Sequence, residues 1–272
     1  MRLLAYMICS CILIHAHAQP VVYLVAGQSN AQGMGDAALS TKAPTNAWQY
    51  SFAKDSLLPL ADPCGFDELS FKPSASGSAW PSFAAEYSGK SGRSILIVQA
   101  ARGGSSCTKA SELGSYGTWA ESGVLFSNSI LKTKAALKKT SGSLAGIIWL
   151  QGERDANAIN DKKQTANQYK TGLKNLIERF QLELGDIPFY IVLTGYYRDH
   201  PKEGFDAVRK VQEEVAKEMR NVFVVYKNTH RFLTKKLLQE KDGIHYTQPA
   251  LNELGTAIAR RIITIEKRKI EE

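Results

Sequence analysis

Histidine and cysteine are both scarce in this 272-residue chain, with five of the first and four of the second. Internal repeats and low-complexity tracts are missing, which excludes solenoid arrays and a largely disordered chain. No apolar run reaches the ~20 residues of a comfortable membrane span. No stripe of interleaved aromatic and basic residues marks a nucleic-acid face. What is present is ordinary for a globular protein: 44% hydrophobic and 22% charged residues. The length suits one large α/β domain and does not demand two.

The first eighteen residues read as a leader and not as part of the fold. Met1-Arg2 gives a positive start, Leu3 to Ile14 is apolar, and Ala16-His17-Ala18 offers small residues where a signal peptidase reads. Cleavage is expected after Ala18, leaving a domain of residues 19–272 that is exported, either secreted or periplasmic. A buried N-terminal helix is the competing reading, and the Ala-x-Ala ending argues against it. A lipid-anchored form would use Ile8-Cys9-Ser10-Cys11, at the end of an unusually short apolar stretch.

Loss of the leader sharpens the inventory. Cys9 and Cys11 leave with it, so only Cys64 and Cys107 remain. An oxidising compartment permits them to pair, but sequence does not show whether they lie close enough, and the pairing stays open. Only His200, His230 and His245 remain as candidate bases. The formal charge of +8 becomes +7 without Arg2, and much of the excess sits in Arg260-Arg261 and Lys267-Arg268-Lys269. Attraction to acidic polysaccharide or nucleic acid is one reading of that cluster. A solvated last helix is the simpler one, and no nucleic-acid or membrane partner is expected.

Five compact runs predict buried strands: Val21 to Val25, Ile95 to Gln99, Gly146 to Leu150, Phe189 to Leu193 and Val222 to Tyr226. Helical spacing lies between and after them. Ala166, Tyr169, Leu173, Leu176, Ile177, Phe180 and Leu184 share one face, as do Phe205, Val208, Val215 and Met219. Leu251, Leu254, Ile258 and Ile262 mark a final amphipathic helix. The alternation predicts a single-domain three-layer α/β/α sandwich on a mainly parallel five-stranded sheet. Ala31 to Pro81 lacks periodicity and is expected to be an elaborated loop beside the site.

Ligands bind outside the carboxyl ends of such strands, so the residues after each strand carry the search. The first strand leads into Gly27-Gln28-Ser29-Asn30-Ala31. Glycine permits a sharp bend that exposes the serine hydroxyl, and the following N–H groups face any charge developing there. A plain helix cap explains Ser29 and Asn30 equally well. Ala31 stands where the Gly-x-Ser-x-Gly elbow has its second glycine. The second strand leads into Arg102-Gly103-Gly104-Ser105, where a Gly103 or Gly104 N–H can approach a ligand, or simply turn the chain. The third leads into Gln151-Gly152-Glu153-Arg154-Asp155. Gln151 can present an amide to an oxyanion and Glu153 can orient a histidine; an acidic helix start is the alternative. Before the last helix comes Asp242-Gly243-Ile244-His245. A carboxylate three residues ahead of an imidazole can fix its Nδ1–H and leave Nε2 to take a proton. His200 and His230 are read as structural or site-edge residues, with His230 in reserve.

These four blocks, in this order, resemble the SGNH (GDSL-like) hydrolases. They are most similar to the sialate O-acetylesterase-like group, which includes the acetylxylan esterases of carbohydrate esterase family six. The resemblance runs from Val21 to about Ile263. It implies a flavodoxin-like sheet order and a serine esterase that needs no metal or other cofactor. It makes Ser29 the nucleophile, His245 the base and Asp242 the residue that orients it, with Glu153 as a supporting or rival acid. It builds the oxyanion hole from the N–H of Ser29, that of Gly103 or Gly104, and the side-chain amide of Gln151. The wider superfamily has Asn at that third place. The implied partner is an acetylated glycan, of xylan, sialic acid or another sugar, with Trp48, Tyr50, Trp80, Trp119, Tyr196 and Tyr197 available to stack or to fill the core. A lipase or thioesterase with a greasier pocket, and a carbohydrate-binding relative without turnover, are the other classes.

Overall fold

The computed structural model describes residues 19–271; the expected leader, residues 1–18, lies outside the described residues. From β1 (Val21–Gly27) the chain passes a one-turn α1 (Ser29–Gln32), a hairpin of β2 (Ala47–Ser51) and β3 (Ser56–Pro59), and α2 (Trp80–Ser91) into β4 (Ile95–Ala101). It continues through α3 (Leu125–Thr140), β5 (Ser143–Leu150), α4 (Glu153–Asn160), α5 (Ala166–Leu184), β6 (Phe189–Val192) and α6 (Glu203–Glu218). Then come β7 (Val222–Tyr226), a short α7 (Arg231–Thr234) and the long α8 (Gln248–Glu271).

The strands form one sheet in the order β3-β2-β4-β1-β5-β6-β7, parallel except where β3 pairs antiparallel with β2. All five expected strands are present. The sheet has seven strands rather than five, because the stretch read as loop contains the β2–β3 hairpin. Ala47-Trp48-Gln49 continues the sheet beside Ile95-Leu96-Ile97. Neither strand of the hairpin has a Val, Ile or Thr, so it carried none of the β-branched signal that marks the others.

Every residue of β1 is buried, as expected for a central parallel strand covered on both faces. Alternation splits its side chains between two layers. Val21, Tyr23 and Val25 join the cluster that packs against α2 and α8, through Phe83, Tyr87, Leu254 and Ile258. Val22, Leu24 and Ala26 face the opposite cluster, with Leu173, Phe180, Phe205 and Val208 from α5 and α6. Helix α5 starts where Thr165 and Gln168 form a reciprocal capping box, and it buries five of the seven positions expected on its apolar face. Helix α6 ends before Met219, which caps it in an extended conformation.

Cys64 belongs to the first cluster and Cys107 to the second, so the sheet stands between them. Both are free thiols, and burial pushes both well above the ordinary thiol range. No disulfide links them. Among the described residues no helix is long and apolar enough to cross a membrane.

Candidate active site

The carboxyl ends of β1, β4 and β5 meet where the strand order reverses around β1, and the loops leaving them are laced together. Gly27, the last residue of β1, has φ +139°, and a Cβ there would come within 2.0 Å of the Leu150 carbonyl oxygen. Only glycine lets β1 end this close to β5. The Gln28 N–H then donates to the Leu150 carbonyl at 3.1 Å. Its side-chain oxygen accepts from the N–H groups of Gly152 and Arg154, at 3.3 and 3.2 Å. The Arg102 N–H donates to the Gly27 carbonyl at 3.1 Å.

Ser29 opens α1 and, together with His245, lines a cavity of about 600 Å³. Gln28, Gln32, Gly103, Gly104, Arg102, Arg154, Tyr116 and Tyr197 also contribute to its walls. The N–H of Ser29 and that of Gly104 have no acceptor among the described residues. Gly104 has φ +74°, and a Cβ would strike the Tyr116 ring at 2.7 Å. The glycine thus lets an aromatic face lie directly on the backbone at the cavity wall.

His245 and Asp242 stand as their spacing predicts. Asp242 Oδ2 accepts from His245 Nδ1 at 2.8 Å, and its Oδ1 accepts from the N–H groups of Ile244 and His245 at 3.1 Å each. Partial burial works to raise this carboxyl, but these bonds outweigh it and hold Asp242 below the ordinary aspartate range. The side chains of His245 and Asp242 are 22% and 26% exposed, so the imidazole is reachable from solvent. The loop carrying them is pinned by the Gln239 N–H to the His245 carbonyl, at 2.8 Å, and by the Arg198 N–H to the Gly243 carbonyl, at 2.9 Å.

Glu153 does not bond to His245. It is 1% exposed, and its Oε1 accepts from Asn30 Nδ2 at 2.8 Å. Burial raises its carboxyl above the ordinary glutamate range against the opposing pull of that bond. Two expected oxyanion donors are engaged elsewhere. The Gly103 N–H donates to Gln32 Oε1 at 2.8 Å. Gln151 is fully buried away from the cavity wall, and its Nε2 donates to Asp155 Oδ2 at 2.5 Å and to the Ser105 carbonyl at 3.4 Å. Asp155 is a hub: it also accepts from the N–H groups of Cys107 and Thr108, the Thr108 hydroxyl and Gln164 Nε2. The short bond from Gln151 Nε2 to this buried carboxylate turns the Gln151 amide inward.

The other histidines lie apart. His230 Nδ1 sits against Arg209 and the Lys227 carbonyl, and burial together with Arg209 lowers its pKa. His200 stacks on Tyr197 at 3.5 Å. Of the six aromatics weighed for sugar stacking, Tyr197 lines the cavity, whereas Tyr50, Trp80 and Trp119 are core. Tyr116, Gln32 and Lys72 reach the cavity without any local sequence signal; each arrives on a connection whose path only the fold defines. Gln28 and Asn30 lie inside the serine block itself, where the glutamine and asparagine flanking the serine were the available clue. Among the described residues no cluster of His, Cys, Asp and Glu forms a metal site.

The sheet order and the cavity at the carboxyl ends of β1, β4 and β5 define a three-layer α/β/α fold with its candidate site at the strand switch point. The sequence model of the family described as "Carbohydrate esterase, sialic acid-specific acetylesterase" matches residues 19–264, and the chain belongs to that family. A probable carbohydrate esterase of Arabidopsis thaliana is 25% identical over 147 residues, 54% of this chain; the match spans half the length of that relative, 50%. A solved structure of a protein from the same plant superposes with TM-score 0.70 at 20% identity, covering 90% of this chain and 98% of that one. The crystal structure of NanS gives 0.67 at 18%, covering 92% and 98%. A carbohydrate acetylesterase from Xanthomonas citri gives 0.57 at 18%, covering 89% and 56%. At these identities the structural likeness is one of fold.

Proposed function

We propose that this protein is an exported carbohydrate O-acetylesterase that works through an acetyl-enzyme on Ser29. The observation that carries the reading is the shared cavity. It holds a serine at a strand-to-helix turn, an imidazole whose Nδ1 is fixed by Asp242 at 2.8 Å, and two N–H groups free to receive an oxyanion. In this reading Ser29 attacks the acetyl carbonyl as His245 Nε2 accepts its proton. The Ser29 and Gly104 N–H groups stabilise the tetrahedral oxyanion. His245 then protonates the departing sugar oxygen, and water hydrolyses the acetyl-enzyme by the same sequence. Asp242 fixes the tautomer and stabilises the imidazolium. Export rests on the leader read in residues 1–18.

Charge at the cavity favours an acidic sugar. Lys72, Arg102 and Arg154 line it, and among the described residues no carboxylate does. Lys72 is paired with Asp67, but neither guanidinium has a carboxylate partner among the described residues. Arg102 and Arg154 instead donate to the carbonyls of Ser115 and Ser111, at 3.3 and 3.0 Å, which holds them in place. An acetylated sialic acid fits this lining better than neutral acetylxylan.

Acetate release from p-nitrophenyl acetate and from a panel of acetylated glycans tests the reading. Ser29→Ala should abolish release from every substrate while the protein keeps its thermal transition. Activity persisting in that variant contradicts the assignment.

A further inference from the structure

Asn30 follows the candidate nucleophile, and its side chain reaches the two residues on either side of the candidate base. Nδ2 donates to the Ile244 carbonyl at 3.3 Å, and Oδ1 accepts from the Tyr246 N–H at 3.1 Å. Nδ2 also donates to Glu153 Oε1 at 2.8 Å. The carboxamide has one orientation that satisfies all three. Turned over, its oxygen would face two acceptors and its NH2 would face an N–H donor. All three partners select the same orientation, and Glu153 supplies the shortest contact, anchoring the amide from the side away from the His245 loop. We propose that Glu153 and Asn30 form a positioning latch that fixes the backbone around His245 relative to Ser29.

The latch rests on the reading of Ser29 and His245 as nucleophile and base, and it gives Glu153 work that the rival-acid role does not. The carboxylate acts at one remove, through an amide, and contributes hydrogen-bond geometry rather than charge. Its environment is consistent with that. Asn30 and Glu153 are both buried, and among the described residues no Lys or Arg is paired with Glu153. Its second oxygen lies near the Thr194 hydroxyl, which is also without a partner among the described residues. The Thr194 hydroxyl can donate to that oxygen, which opposes the effect of burial, and it can equally accept from the NH2 of a glutamine. Burial raises Glu153 in the direction of its neutral form.

Four variants separate the latch from the alternatives: Glu153→Ala, Glu153→Gln, Asn30→Asp and the double variant Asn30→Asp with Glu153→Gln. The readouts are kcat and KM for p-nitrophenyl acetate, with hydrogen exchange of the segment 242–247. Glu153→Ala should lower kcat by about tenfold or more with KM little changed, and should speed exchange at the Tyr246 amide. Glu153→Gln keeps the acceptor for Asn30 and should hold kcat within about threefold. Asn30→Asp sets an oxygen against Glu153 and should lose about as much as Glu153→Ala. Glu153→Gln in that background offers its NH2 to Asp at position 30 and should recover several-fold, so the two changes are not additive.

A Glu153→Gln loss as large as that of Glu153→Ala would show that the charge matters and overturn the latch. So would additive losses in the double variant, or unchanged kcat in Glu153→Ala. Ser29→Ala is the control that keeps the two readings apart. Full activity there removes the nucleophile, whereas an inactive Ser29→Ala with unaffected Glu153 and Asn30 variants removes only the latch.

Discussion

Asp242 and Glu153 differ in which donors their oxygens meet. Asp242 meets the imidazole and two backbone N–H groups of its own turn, while Glu153 meets a carboxamide in a buried setting. Asp242→Asn should therefore give the larger loss, about 10³ to 10⁴ in kcat, because an amide can present its NH2 to Nδ1 and favour the wrong tautomer. Steady-state kinetics on p-nitrophenyl acetate reads this directly, and a loss under about tenfold contradicts the role given to Asp242. Arg154→Ala should raise KM for acetylated sialic acid by about tenfold and leave neutral acetylated xylo-oligosaccharide nearly unchanged. Equal effects on both substrates contradict the acidic-sugar reading. At this scale the sequence was informative where partners are near in the chain. Asp242 and His245 are three residues apart, and one turn brings them together. Gln151 was read as an oxyanion donor; its Nε2 meets Asp155, four residues on, and a competing buried carboxylate is not visible in a motif.

Elements carry the site by ending in the right place. The five strands with Val and Ile runs were legible, since a doubly covered parallel strand must be apolar throughout. The β2–β3 hairpin was not. It sits at the sheet edge, its strands are short, and long-range pairing with β4 specifies it more than its own residues do. The connection after β4 depends on Asp155 at the start of α4, which gathers the Cys107 and Thr108 N–H groups. Asp155→Asn turns one acceptor into a donor facing other donors. It should destabilise the protein by about 2–4 kcal/mol in urea unfolding, from unsatisfied buried groups. A change below about 0.5 kcal/mol, the range of ordinary surface substitutions, contradicts the hub.

Across the whole molecule, the two carboxylates give stability opposite pH dependences. The Asp242 pKa is lowered on folding, so its contribution is complete above the ordinary aspartate value and fades as pH falls through the lowered one. The Glu153 pKa is raised, so its contribution is complete below the ordinary glutamate value and is lost as pH rises through the raised one. Glu153→Gln removes that second loss. The Tm of the variant relative to the natural protein should therefore climb as pH rises from about 4 toward 8. A difference that stays flat across this range contradicts the burial of an ionisable Glu153. The fold as a whole was readable from strand and helix periods. The cavity was not, because Tyr116, Lys72, Arg102 and Arg154 come together from separate connections that only the closed sheet brings to one side.

In the proposed mechanism Ser29 carries the acetyl group between sugar and water. Acid-quenching the enzyme during turnover of an acetyl ester, followed by mass spectrometry of its peptides, tests it most directly. One acetyl group is expected on the peptide containing Ser29, absent in Ser29→Ala, and accumulating more in a variant whose deacylation is slowed. Turnover by Ser29→Ala, or an acetyl group carried on another residue during turnover, contradicts it.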